Sequence, residues 1–170
     1  ELYIERCDYM ENPPEKFFRL GPKREVRLKH AYYVTCTDFI KDKHGKVTEV
    51  HCTYDPTTKG GWSDDGRKVR GTLHWVSISH AIHAEVHLYD HLFNIENPSI
   101  NDDDFIQSLN PDSLTILNNC KLEPCLKNAA LGTGYQFMRI GYFCLDLDST
   151  PNNLVFNRAT GLRDRWSKKK

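Results

Sequence analysis

Alternation with a period of two runs through most of this chain, and that pattern limits its folds more than any other feature. EVRLKHAYYVTCTDF alternates over its whole length and predicts one long half-buried strand. KVTEVHCTYD, after a KHG turn, predicts its hairpin partner. GTLHWVSIS, AEVHLYDHLF, SLTILNN, YQFMRIGYFCLD and NLVFNR supply further strands, punctuated by ENPSINDDD and LNPDS. TKGGWSDDGRK is dense in Gly and Asp and predicts a loop. Only DDDFIQSLN predicts a turn or two of helix, with an aspartate near its N-cap. Many short strands without a βαβ rhythm exclude a doubly wound nucleotide fold and predict an all-β chain of antiparallel barrels or sandwiches.

The chain's 170 residues suffice for one ordinary domain or two small ones, and 39% hydrophobic residues support packed cores. Basic and acidic residues number 23 each, so total charge indicates no polyanionic partner. Their distribution is uneven. Between Lys16 and Lys29 six cations (Lys16, Arg19, Lys23, Arg24, Arg27, Lys29) face one acid, Glu25. From Arg158 to Lys170 another six face only Asp164. Two such segments are either a phosphate-binding face or solvated surface. The six cysteines form no CxxC pair and no disulfide-scaffold spacing, which predicts a reduced, cytoplasmic protein. No apolar run approaches the roughly 18 to 20 residues of a membrane span. Opening on the strand-like ELYIER, the chain reads as a piece of something longer.

Five of the eight histidines fall within residues 71–93, with His83, His87 and His91 at i, i+4 spacing. That spacing binds a metal only on a helix. In AEVHLYDHLF the apolar residues alternate, and residues four apart on a strand are roughly 13 Å apart, too far to share one ion. No metal site is expected, therefore, and CKLEPC alone is a weak ligand pair. There is no G-x-S-x-G elbow and no paired-carboxylate arrangement, and the Gly-x-Gly of LGTGYQF reads as a turn. No catalytic residue is assigned. RNA binding does have materials: cations interleave with aromatics in EKFFRLGPKREVRLKHAYY, and Gln136, Phe137 and Arg139 crowd together in GYQFMRIGYF. Unpaired bases stack on aromatic or guanidinium planes and bond through their edges. Arg27 and Lys29, two apart, are expected on one strand face. The competing reading is that the aromatics are core and the cations line the surface.

The run DDGRKVRGTLHWVSISHAIHAEVHLYDHLF resembles the C-terminal, anticodon-binding region of the glutaminyl-tRNA synthetase family. The same family pattern is met in ELYIERCDY, FFRLGPKREVRLKHAY, LNPDSL, YQFMRIGYFCLD and VFNRATGLRDRW, in the family's order and across the chain. The resemblance implies a class I ligase that joins glutamine to tRNA(Gln) with ATP and Mg. Its HIGH-type and MSK-type motifs do not occur here, so this part is expected to be non-catalytic and to hold no cofactor. It implies two antiparallel β-barrels: an outer one of residues 13–83, and a discontinuous inner one of residues 1–12 and 84–170. By the same resemblance, Arg19 matches the arginine that reads the third anticodon base. Arg27 and Lys29 match two basic positions at the first base, Lys29 keeping charge without the arginine fork. Gln136 and Arg139 match the pair at the middle base, and Arg165 a phosphate contact. Phe18 stands where a basic residue is expected, and His87 where an arginine is usual. A monomer without membrane or DNA partners is expected, and a place in a multi-synthetase complex stays open. The alternatives are the barrels of a eukaryotic-type glutamyl-tRNA synthetase and a β-module that docks an acidic protein.

Overall fold

A computed structural model describes residues 1–60, 62–98 and 105–162. The chain divides into two compact units, residues 1–78 and 79–170. In the first, β1 (Leu2–Ile4) pairs antiparallel with β6 (Trp75–Ser77). A four-stranded sheet carries the rest: β2 (Glu25–Leu28), β3 (Tyr33–Lys41), β4 (Val47–Asp55) and β5 (Thr72–Leu73), in the order β4-β3-β2-β5. Val26 and Leu28 point inward from β2 and join Tyr9, Leu20, Val34, Cys36, Val47 and Leu73 in one apolar core. Ile4 and Trp75 pack against it, which ties the β1–β6 ribbon to the sheet. The β3–β4 hairpin closes as its sequence predicts. Asp42 Oδ1 accepts from the amides of His44 and Lys46, and Gly45 takes φ 77, which glycine adopts without a Cβ penalty.

The second unit has one five-stranded sheet built from β7 (Ile82–Tyr89), β8 (Leu114–Leu122), β9 (Gly134–Phe137), β10 (Gly141–Leu145) and β11 (Leu154–Gly161). Its order is β8-β7-β11-β10-β9. Phe143 and Phe156 are fully enclosed, with Ala84, Val86, Leu122, Leu126 and Leu154 around them. Phe137 stacks on Phe143 with ring centroids 4.1 Å apart, and Tyr135 meets Phe156 edge-on at 6.2 Å.

The chain is all-β, and the described residues contain no α-helix. Three expectations are corrected. EVRLKHAYYVTCTDF is two strands, because the chain turns at residues 29–32: His30 takes φ 58, and Leu28 donates its amide to Tyr32 O. YQFMRIGYFCLD is likewise a hairpin, β9–β10, with Arg139 at φ 64 in its turn. Pairing is also not wholly antiparallel, since β2–β5 and β7–β11 are parallel. Strands so far apart in sequence can pair in either sense, and alternation carries no sign of which. DDDFIQSLN contributes a short 3-10 turn, Phe105–Ser108, while residues 99–104 lie outside the described set. The sheets, as hydrogen-bonded, are open. Glu1–Ile4 belong to the first unit through the β1–β6 pairing, whereas the resemblance assigns residues 1–12 to the barrel completed by 84–170.

Candidate nucleic-acid interface

Arg27 projects from β2, next to β5. Its backbone amide donates to Gly71 O at 2.8 Å. Its Nε and Nη2 both donate to Thr72 Oγ1, at 3.1 and 2.9 Å. The guanidinium carbon sits over the Trp62 ring, 5.4 Å from the centroid. So Gly71, Thr72 and Trp62 together fix this arginine. Gly71 approaches Phe18 so nearly that a Cβ there would lie 2.5 Å from Phe18 O, which is why no side chain stands at that position. Lys29 does not continue the strand. It opens the turn after β2 and is exposed, anchored by its backbone: its amide donates to Leu73 O and its carbonyl accepts from Trp75 Nε1.

The loop that carries Trp62 is fastened by Arg67. Its guanidinium bonds Glu25 of β2 through two nitrogens at 3.1 Å each, Asp55 at the end of β4, and Asp65 beside it at 2.5 Å. The Tyr33 ring lies under the same guanidinium, 5.3 Å away. The acids show the field of this cation. Bonds from the Arg67 amide and side chain hold Asp65 down to about 2. Asp55 is lowered by the Thr57 hydroxyl and by Arg67. Arg67 in turn is raised, first by Glu25 and then by the two aspartates.

Arg19 faces inward as well as outward. Its Nη1 donates to Cys7 O at 2.9 Å and lies 3.3 Å from Asp8 Oδ1, and that carboxylate is fully buried. Arg24, from the same basic run, is spent on the backbone: it donates to the carbonyls of Pro13, Pro14 and Phe17, closing the 13–17 loop. Phe18 lies 48% exposed with the Arg70 guanidinium 5.1 Å from its ring centre.

In the second unit, Gln136 is an outward position of β9, because Tyr135 and Phe137 on either side turn into the core. It pairs across the hairpin with Tyr142, which is also exposed. Arg139 is exposed in the turn that follows. The hairpin thus brings these two together, as Arg27 and Lys29 are brought together around β2. The two groups lie in different units. Arg165 falls outside the described residues.

Of the five histidines in the histidine-rich stretch, His83 and His87 lie on β7, His74 lies between β5 and β6, and His80 and His91 flank β7. His87 Nε2 pairs with Glu85 Oε1 at 2.5 Å, and His83 Nδ1 meets Asn119 Oδ1 at 2.5 Å, with Lys121 Nζ 2.8 Å away. These contacts run across or along the sheet. Among the described residues no group of three or more His, Cys, Asp or Glu side chains is arranged to hold a metal.

Sequence reasoning missed Thr72, Trp62 and Arg67. Thr72 and Arg67 stand in conspicuous runs, yet their partners lie 45 and 42 residues away. Trp62 is the most visible of the three in the sequence, an aromatic in a Gly/Asp loop, but a single exposed aromatic is common and carries no signal by itself.

Residues 1–55 and 72–146 each match a family model described as the anticodon-binding domain of class I tRNA synthetases (E and Q). Similar proteins named glutamine–tRNA ligase include those of Nitrobacter winogradskyi (54% identical), Rhodopirellula baltica (52%) and Proteus mirabilis (48%). The alignments cover 99% of this chain but 30%, 28% and 30% of those relatives, so the chain spans less than a third of their length. A fixed arginine on β2, an exposed glutamine on β9 and similarity along the whole chain lead to one assignment: this chain belongs to the anticodon-binding domains of the class I (E and Q) tRNA synthetases.

Proposed function

We propose that the chain recognises the anticodon of tRNA(Gln) on behalf of an ATP- and Mg-dependent catalytic part that joins glutamine to that tRNA. The observation that carries the reading is Arg27, a guanidinium held by Thr72 and Trp62 next to the exposed Lys29, within a family-matched segment. Such a fork discriminates by about 1 to 3 kcal/mol between bases when it bonds a base edge in a fixed geometry. Arg27 and Lys29 serve the first anticodon base, Gln136 and Arg139 the middle base, and Arg19 the third. Arg165 contacts phosphate. The open sheets of the two units are the described parts of two barrels, with the splayed bases taken up by their exposed strands.

The glutamine-specific reading, rather than a glutamyl one, is supported by the names of the similar proteins and by the YQF glutamine. The six cysteines, none joined in a disulfide, support a reducing, cytoplasmic setting. Filter binding of the chain to a tRNA(Gln) transcript and to one with a swapped anticodon tests the reading. Tighter binding of the cognate transcript at physiological salt is expected. Equal, weak binding that vanishes with salt would exclude anticodon readout.

A further inference from the structure

Trp62 is 76% exposed, the largest exposure among the aromatic side chains of the described residues. The segment that follows it is fastened. The turn after it is closed by the Gly66 amide on Ser63 O and the Ser63 hydroxyl on Arg67 O, both at 3.2 Å. Arg67 then ties that turn to β2 and β4 through Glu25 and Asp55. One side of the indole carries the Arg27 guanidinium, and its exposure leaves the remainder of the ring open to solvent. An exposed aromatic face is thus presented next to the arginine. Aromatic faces of this kind take unpaired bases of any sequence, while neighbouring cations follow the phosphates. An acidic protein surface would use the cations but has no need of the indole.

We propose that Trp62 is a stacking platform for an unpaired nucleobase of the anticodon loop, next to the base that Arg27 reads. The inference rests on the anticodon reading above and adds to it a contact that selects no base but fixes the loop's path. Arg27, Trp62 and the nucleobase form a continuous stack, so the platform also holds the arginine in its reading position.

The test uses the full-length protein and tRNA(Gln) transcripts that carry 2-aminopurine at each anticodon-loop position in turn. At one position, binding to the wild type and to Trp62→Phe should change the fluorescence of the probe. Trp62→Leu, which keeps apolar bulk without a π-face, should abolish that change, and Trp62→Ala should weaken binding roughly 5- to 150-fold. The salt dependence should stay as in the wild type, because no phosphate contact is removed. If Trp62→Leu matches the wild type at every position, the platform is wrong although anticodon reading stands. If the wild type itself fails to separate cognate from swapped anticodons, both readings fall.

Discussion

Truncating Arg19 removes a partner of Asp8, a carboxylate that solvent does not reach, so its effect on RNA cannot be read as lost base contact alone. Arg19→Ala should lower unfolding stability by about 1 to 3 kcal/mol, the figure for a broken buried pair discounted for the exposed arginine. Denaturant unfolding measures this, and Asp8→Asn in the same background should restore part of the loss. Arg27→Ala leaves no buried charge behind. It should change selectivity at the first anticodon base by about 1 to 3 kcal/mol in competition binding, whereas a uniform loss over all sequences would make it a phosphate contact. In the sequence, the cations of the Lys16–Lys29 run look alike. The fold separates them: Arg24 turns to three carbonyls, Arg19 to Asp8, and Lys29 to solvent. Those partners lie 7 to 12 residues away, across irregular loops rather than along a strand, and no periodic pattern announces them.

At the scale of elements, the loop of Trp62 depends on one guanidinium and three carboxylates. Asp55 and Asp65 are lowered in the folded chain, so they bind fewer protons there than in the unfolded chain. Their stabilising effect is therefore complete above the ordinary carboxylate range, near pH 4, and is lost as pH falls through that range toward about 2, where Asp65 is protonated. Arg67→Met should flatten the fall of stability with pH in that window, as read from denaturant unfolding at several pH values. Close backbone approaches make a second expectation. Gly141 faces Gly161 on β11, and a Cβ would lie 2.5 Å from Thr160 O. Gly141→Ala should cost about 1 to 3 kcal/mol by overpacking and shift the amide signals of the β9–β10 turn that carries Arg139. The β3–β4 hairpin was legible in KHG because a glycine turn has a local signature. The turn at residues 29–32 was not, since its left-handed residue is a histidine. Parallel pairing of β2 with β5 and of β7 with β11 has no local signature either.

For the whole molecule, each unit has an apolar core made of its own residues. Phe156→Ala should therefore cost the second unit about 3 to 5 kcal/mol. Hydrogen exchange should show lost protection in β7–β11, with the amides of β2–β4 unchanged. The all-β class followed from alternation, since strands write their faces into the sequence directly. Function did not: composition left RNA binding and plain surface both open, and family similarity decided between them.

The sheet order β8-β7-β11-β10-β9 places β11 between two pairs of strands that precede it in the chain. Until residues 154–161 leave the ribosome, β7 and β10 are bare edges, and Phe143 has no Phe156 to pack with. A nascent second unit is thus two separate ribbons with sticky borders, the condition that favours mispairing and calls for chaperone cover. The first unit is in a similar position for a shorter time, because β5 and β6 arrive by residue 77.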